Sequence, residues 1–196
     1  VNRNGLPSNP SANKTAYYQH YAILGITASV EVTDDSLDRV MLQRSLAHND
    51  AHFWDASPQW FGYYDQTLAN GTQPSGKSFN ATVDAVTTHL LQLHHMTGQV
   101  AGDSVYWNRL RDVADNMVHR LGASANTQAI GFVEGYDTQW DPLPSDTMTI
   151  MGHVLKTAWC LARLYELNRD SSYLGTAERL VDMVLQKGYD HQNGGP

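Results

Sequence analysis

Three polar side chains at a helical spacing, Lys77, Asn80 and Asp84, and a histidine that follows a glycine, His153, are the residues whose types best suit chemistry. The first three recur at i, i+3 and i+7 and share one helix face, where a helix packed on a core would carry apolar groups. Such a stripe lines a cavity or forms a solvated face. His153 begins a helical run after a polar loop, from which its side chain can face a cavity or serve as a capping or packing residue. Trp60, Tyr63 and Tyr64 in one long connection, and Phe132, Tyr136 and Trp140 in the next, offer rigid aromatic faces on which a ligand's C–H groups stack, or which pack loops over helix ends. Asp84 with Glu134, Asp137 or Asp141 offers a carboxylate pair for general acid and base work. His48 and His52, at i and i+4, lack a third ligand and read as surface or packing residues, so no metal site is expected. His89 stands in mid-helix and reads as buried or touching a ligand. No nucleophile elbow, Walker loop or dinucleotide fingerprint is present, and no cofactor is encoded.

These residues are positioned by a repeat. A polar turn opens a new helical segment three times, at Asp34-Asp35-Ser36, Gly102-Asp103-Ser104 and Arg169-Asp170-Ser171, with a period of about 67 residues. Each aspartate is followed by Ser and an apolar periodic run, the pattern of an N-cap and first turn. Upstream of each turn lies another helical run, roughly 16–33, 79–97 and 153–168. The sequence therefore predicts an all-α protein of three αα-hairpins in one domain spanning 1–196, at about 15–55, 77–121 and 153–188. Connections within hairpins are short. Those between hairpins, about 56–78 and 122–152, are long, lie on one face, and are where a binding site is expected.

The net charge of −7 carries no run of Lys or Arg, so neither nucleic acid nor an anionic membrane is an expected partner. The longest apolar stretches are too short and too interrupted to span a bilayer, which reads as a soluble protein. The single cysteine, Cys160, sits in an apolar helical run and reads as a core residue. Sequons at Asn13, Asn70 and Asn80 leave the compartment open. Val1 and Gly194-Gly195-Pro196 read as truncated or processed ends.

Several segments resemble the N-acylglucosamine 2-epimerase and cellobiose 2-epimerase superfamily. Gly152-His153-Val154-Leu155-Lys156-Thr157-Ala158-Trp159 is similar to its G-H-x-x-E-x-x-W motif, and Lys77-Ser78-Phe79-Asn80 to the K-S-M-N start of an inner helix. Phe53-Trp54-Asp55 with Gly62-Tyr63-Tyr64 resembles its first W-D...G-G-Y-Y turn. The resemblance implies the N-terminal half of an (α/α)6 toroid, with two open apolar flanks covered by a C-terminal continuation or another subunit. It also implies epimerisation or isomerisation of a free mono- or oligosaccharide through a ring-opened form, by proton transfer next to the carbonyl and without a cofactor. His153 matches the first catalytic histidine; Lys77, Asn80, Asp84, Tyr21, Trp60, Tyr64 and Trp140 are the expected substrate-binding residues. The sequence departs from the family where Lys156 replaces the usual Glu, where Thr82 and Asp84 replace histidines, and where Tyr21 falls at the usual arginine. The second histidine would lie beyond Pro196. Two other readings remain: a non-catalytic sugar-binding or structural subunit, and a toroid hydrolase or lyase working through carboxylates.

Overall fold

Helix α1 (Ala16–Thr33) and helix α2 (Ser36–Phe53) are joined by Asp34 and Asp35 alone, and the two aspartates divide the work of the turn. Asp34 takes the left-handed conformation, φ 55°, that ends α1, and its N–H bonds the carbonyl of Val30. Asp35 caps α2, its Oδ1 accepting from the N–H groups of Leu37 at 2.8 Å and Asp38 at 3.2 Å. The third hairpin, α7 (Met151–Asn168) and α8 (Ser171–Met183), repeats the device: Arg169 is left-handed at φ 61°, and Asp170 accepts from Ser172 N–H at 2.9 Å. The computed structural model describes residues 3–4, 9, 11–97, 105–128 and 130–195. The expected Gly102-Asp103-Ser104 turn therefore lies outside the described residues.

The second hairpin has α3 (Phe79–Ala85) and α4 (Leu91–Met96) joined by a π-helical turn, Val86–Leu90. Its return arm has α5 (Val105–Asn116) and α6 (Gly122–Thr127) joined by another, Met117–Leu121. This arm continues past residue 121, where the sequence reading placed the start of a loop. Gly122 is the reason for the difference. A Cβ there would meet the Met117 carbonyl and Thr176 Cγ2 at 3.0 Å, so the glycine permits close approach of α8 rather than stopping the helix.

Helix α1 packs on α3 and its π turn, and α3 packs on α7, forming an inner row; α2, α5 and α8 stand behind it. Two-residue strands, which alternation cannot reveal at that length, stitch the long connections together in antiparallel pairs. β1 (Lys14–Thr15) pairs with β4 (Gln66–Thr67), β2 (Trp54–Asp55) with β3 (Gly62–Tyr63), and β5 (Lys77–Ser78) with β6 (Gly135–Tyr136). The main core runs from Phe53 and Phe79 through Leu110, Met117 and Phe132 to Leu161, Leu164 and Leu180. Cys160 belongs to it, and burial pushes its thiol up to about 12. Both flanks of the row are apolar and open: Val32, Leu37, Val40 and Met41 are exposed on the first hairpin, and Leu155, Trp159, Leu174 and Val181 line a groove between α7 and α8. No helix among the described residues is long and apolar enough to cross a membrane.

The π turn sets His89 into the core against His20 of α1, ring centroids 5.3 Å apart and both side chains buried. His20 Nε2 lies 3.0 Å from the Ala81 carbonyl, yet burial outweighs that bond and pushes the imidazole down to about 4. Burial, with His20 and Arg109 adding to it, also holds His89 well below the usual range. Between pH 6.5 and about 4 the unfolded chain binds a proton at His20 that the folded chain refuses, so stability falls as pH falls through that window. One group costs about 1.4 kcal/mol per pH unit, roughly 3 kcal/mol across the window. Urea denaturation from pH 7 to pH 4 is expected to show this loss, and His20→Phe to flatten the slope by about one proton.

Candidate functional site

Glu134 joins the second and third hairpins through two different atoms. Its backbone carbonyl accepts from the N–H of Phe79, the first residue of α3, at 3.0 Å, continuing the β5–β6 pairing by one bond. Its carboxylate Oε2 lies 2.7 Å from Nδ1 of His153 in the first turn of α7. The His153 ring lies flat on Phe79, centroids 3.9 Å apart and planes 7° from parallel. The imidazole is thus held at one edge by a carboxylate and beneath by an aromatic face. A proton on Nδ1 directed at that carboxylate leaves Nε2 as the lone-pair nitrogen of the neutral tautomer, the arrangement a general base requires. Burial pushes the Glu134 carboxyl up, with the His153 contact opposing, and its Oε1 is buried without a partner.

One turn further along α7, Lys156 forms a salt bridge with Asp84 of α3. The Asp84 side chain is 3% exposed and that of Lys156 29%, so the carboxylate is enclosed while the lysine side chain keeps contact with solvent. Nζ stands 5.9 Å from the centroid of the same Phe79 ring. From α1, Tyr21 completes the group: it is 43% exposed, its ring lies 4.7 Å from that of Tyr17, and its phenol is raised by burial and then by the charge of Asp84, with Lys156 opposing. Each inner helix therefore contributes to one cluster. His153, Asp84 and Tyr21, chosen from sequence, are brought together in it, and Asn80, partly buried, adjoins Phe79.

The other expected ligand residues lie elsewhere. Lys77 is 1% exposed, precedes the helix as part of β5, and gives its Nζ to Asp55 Oδ2 at 3.0 Å and the Gly62 carbonyl at 3.1 Å. The supposed stripe of Lys77, Asn80 and Asp84 is corrected accordingly, because a helical period does not extend through a strand residue. Tyr64 is partly buried with its ring centroid 4.0 Å from Lys77 Nζ, and burial followed by Asp55 raises its phenol. Trp140 is buried, not a sugar platform: it sits at φ 69°, and its Nε1 donates to the Phe61 carbonyl at 3.2 Å. Trp60 is partly buried with the Arg120 guanidinium 5.5 Å from its ring. These aromatics hold the loop layer together.

Of the carboxylates, Asp84 is bound to Lys156 and Glu134 to His153. Asp137 Oδ1 accepts from the N–H groups of Gln139 at 2.7 Å and Asp141 at 3.0 Å, which makes it the organiser of a turn. The His48 and His52 rings lie tilted at 49° with centroids 4.4 Å apart, and His52 Nδ1 lies 2.9 Å from the Gly71 carbonyl. Among the described residues no group of three or more His, Cys, Asp or Glu is placed to hold a metal ion. Two residues gain weight from the structure: Glu134, considered from sequence only as a hydrolytic carboxylate, and Lys156, noted only as a departure. The signal for Lys156 was the opposite charge of Asp84 on the neighbouring inner helix.

Tandem αα-hairpins with their long connections on one face form part of an (α/α)6 toroid. The sequence profile of N-acylglucosamine 2-epimerase matches residues 5–195, and the chain belongs to that family. A D-mannose isomerase structure is similar at 20% identity and TM-score 0.79, over 95% of this chain and 47% of that one. Cellobiose 2-epimerase from Spirochaeta thermophila DSM 6192 follows at 16% identity and TM-score 0.70, over 90% and 44%. The GH76A alpha-1,6-mannanase from Salegentibacter sp. HEL1_6 shares the fold at 11% identity and TM-score 0.64, over 93% and 49%. The chain thus spans about half the length of the solved structures it matches. No curated protein sequence matches it.

Proposed function

We propose that this chain forms part of a sugar epimerase or isomerase that moves a proton at the carbon next to the carbonyl of a free, ring-opened sugar. The observation that carries the reading is the His153–Glu134 pair stacked on Phe79, which leaves Nε2 as the basic atom on an accessible side chain. His153 takes the proton from that carbon, the C–H pair becomes the enediolate double bond, and a group on the other side returns a proton. Lysine, tyrosine and asparagine around it bind hydroxyls. The open apolar flanks of the first and third hairpins are covered in the working protein by further helical hairpins, in the same chain or another subunit, because contiguous apolar faces of this kind are rarely left in water. The hydrolytic reading is less well supported, since Asp84 and Glu134 each hold a basic side chain.

The test is incubation of the full-length protein in D2O with D-mannose, D-glucose or cellobiose, followed by NMR of the sugar. Deuterium at the carbon next to the carbonyl, with an epimer or ketose accumulating, is the expected result. Sugar binding without deuterium would identify a binding subunit. Release of shorter sugars from an alpha-1,6-mannan would move the assignment to hydrolysis.

A further inference from the structure

Proton abstraction next to a carbonyl leaves negative charge on the carbonyl oxygen, and a base alone does not stabilise it. The cluster contains a cation in position to do so. Lys156 lies three residues after His153, on the same face of α7, where side chains at this spacing are neighbours. Both reach the same apolar surface: the His153 ring covers Phe79 at 3.9 Å, and Lys156 Nζ stands 5.9 Å from its centroid. An ammonium has three donors. One is directed to Asp84, whose buried carboxylate fixes Nζ, while 29% of the Lys156 side chain remains accessible.

We infer that Lys156 is a catalytic residue of this site, donating from Nζ to the carbonyl oxygen of an aldose or ketose as that oxygen becomes anionic. The inference rests on the proton-transfer reading above. As His153 Nε2 takes the proton, the C–H electron pair forms the carbon–carbon double bond and the carbonyl π pair moves to oxygen, which accepts a hydrogen bond from the Lys156 N–H. Reprotonation of carbon reverses the electron flow and frees the lysine, with no oxidant or reductant consumed. Asp84 is a positioning residue. Tyr21 of α1 is electrostatically linked to both members of the pair.

The experiment is deuterium exchange by the full-length protein on D-mannose, comparing the unaltered chain with Lys156→Met, Lys156→Ala and His153→Asn. For Lys156→Met we expect kcat to fall about 100- to 1,000-fold with KM changed only a few-fold, the pattern of an interaction made in the transition state. Methylamine added to Lys156→Ala should restore exchange in proportion to its concentration, which a purely structural lysine would not allow. Exchange by Lys156→Met within about threefold of the unaltered protein, beside an inactive His153→Asn, would overturn the inference and leave the proton-transfer reading standing. So would a loss that follows a fall in Tm and that methylamine does not relieve. No exchange by the unaltered protein on D-mannose, D-glucose or cellobiose overturns both.

Discussion

His153→Asn should lower proton exchange by about 100- to 10,000-fold while leaving the helical circular dichroism unchanged, because a general base contributes in that range and asparagine has none to offer. The fold tolerates the change: the side chain lies at the accessible edge of α7 rather than in the core, and the amide still stacks on Phe79. Glu134→Gln separates orientation from basicity. Glutamine keeps the volume but presents either an oxygen or an NH2 to Nδ1, so part of the population holds the wrong tautomer and the expected loss is smaller. Equal exchange by His153→Asn and the unaltered chain would remove His153 from the mechanism.

The second large effect is on stability. Lys77→Met should destabilise the fold by about 3 kcal/mol, because it leaves Asp55 and the Gly62 carbonyl facing an apolar side chain. Methionine preserves most of the volume, so the loss reflects the unpaired charge rather than a cavity. Changing Asp55 to Asn in the same chain should recover part of it. Urea unfolding of both variants tests this, and a single variant as stable as the parent would show that the buried pair contributes nothing. Sugar exchange by the folded fraction of Lys77→Met should remain normal, since Lys77 has no accessible atom to offer a ligand.

The helices were legible because their signals are local and repeated. Asp35 and Asp170 announce their caps by type and neighbours, and α1 starts and ends where its apolar spacing does. The strands were not, since a two-residue pairing is a tertiary event with no period to read. Of the site, His153 was found through the motif around it. Lys77 failed as a site residue because burial cannot be read from charge: a lysine before a helix looks solvated until Asp55, 22 residues earlier, is folded against it. Glu134 lies in a connection whose spacing carries no information, and its partner is 19 residues away. Lys156 faces Asp84 across 72 residues, a pairing that only the docking of two hairpins creates.

That last separation has a consequence for the chain as it is made. The Lys156–Asp84 and His153–Phe79 pairs each straddle the second and third hairpins, so neither hairpin alone contains either of them. On the ribosome, α3 emerges with Asp84 facing no cation and Phe79 uncovered until α7 has cleared the exit tunnel and docked. Folding up to that stage must be driven by the packing of the first two hairpins.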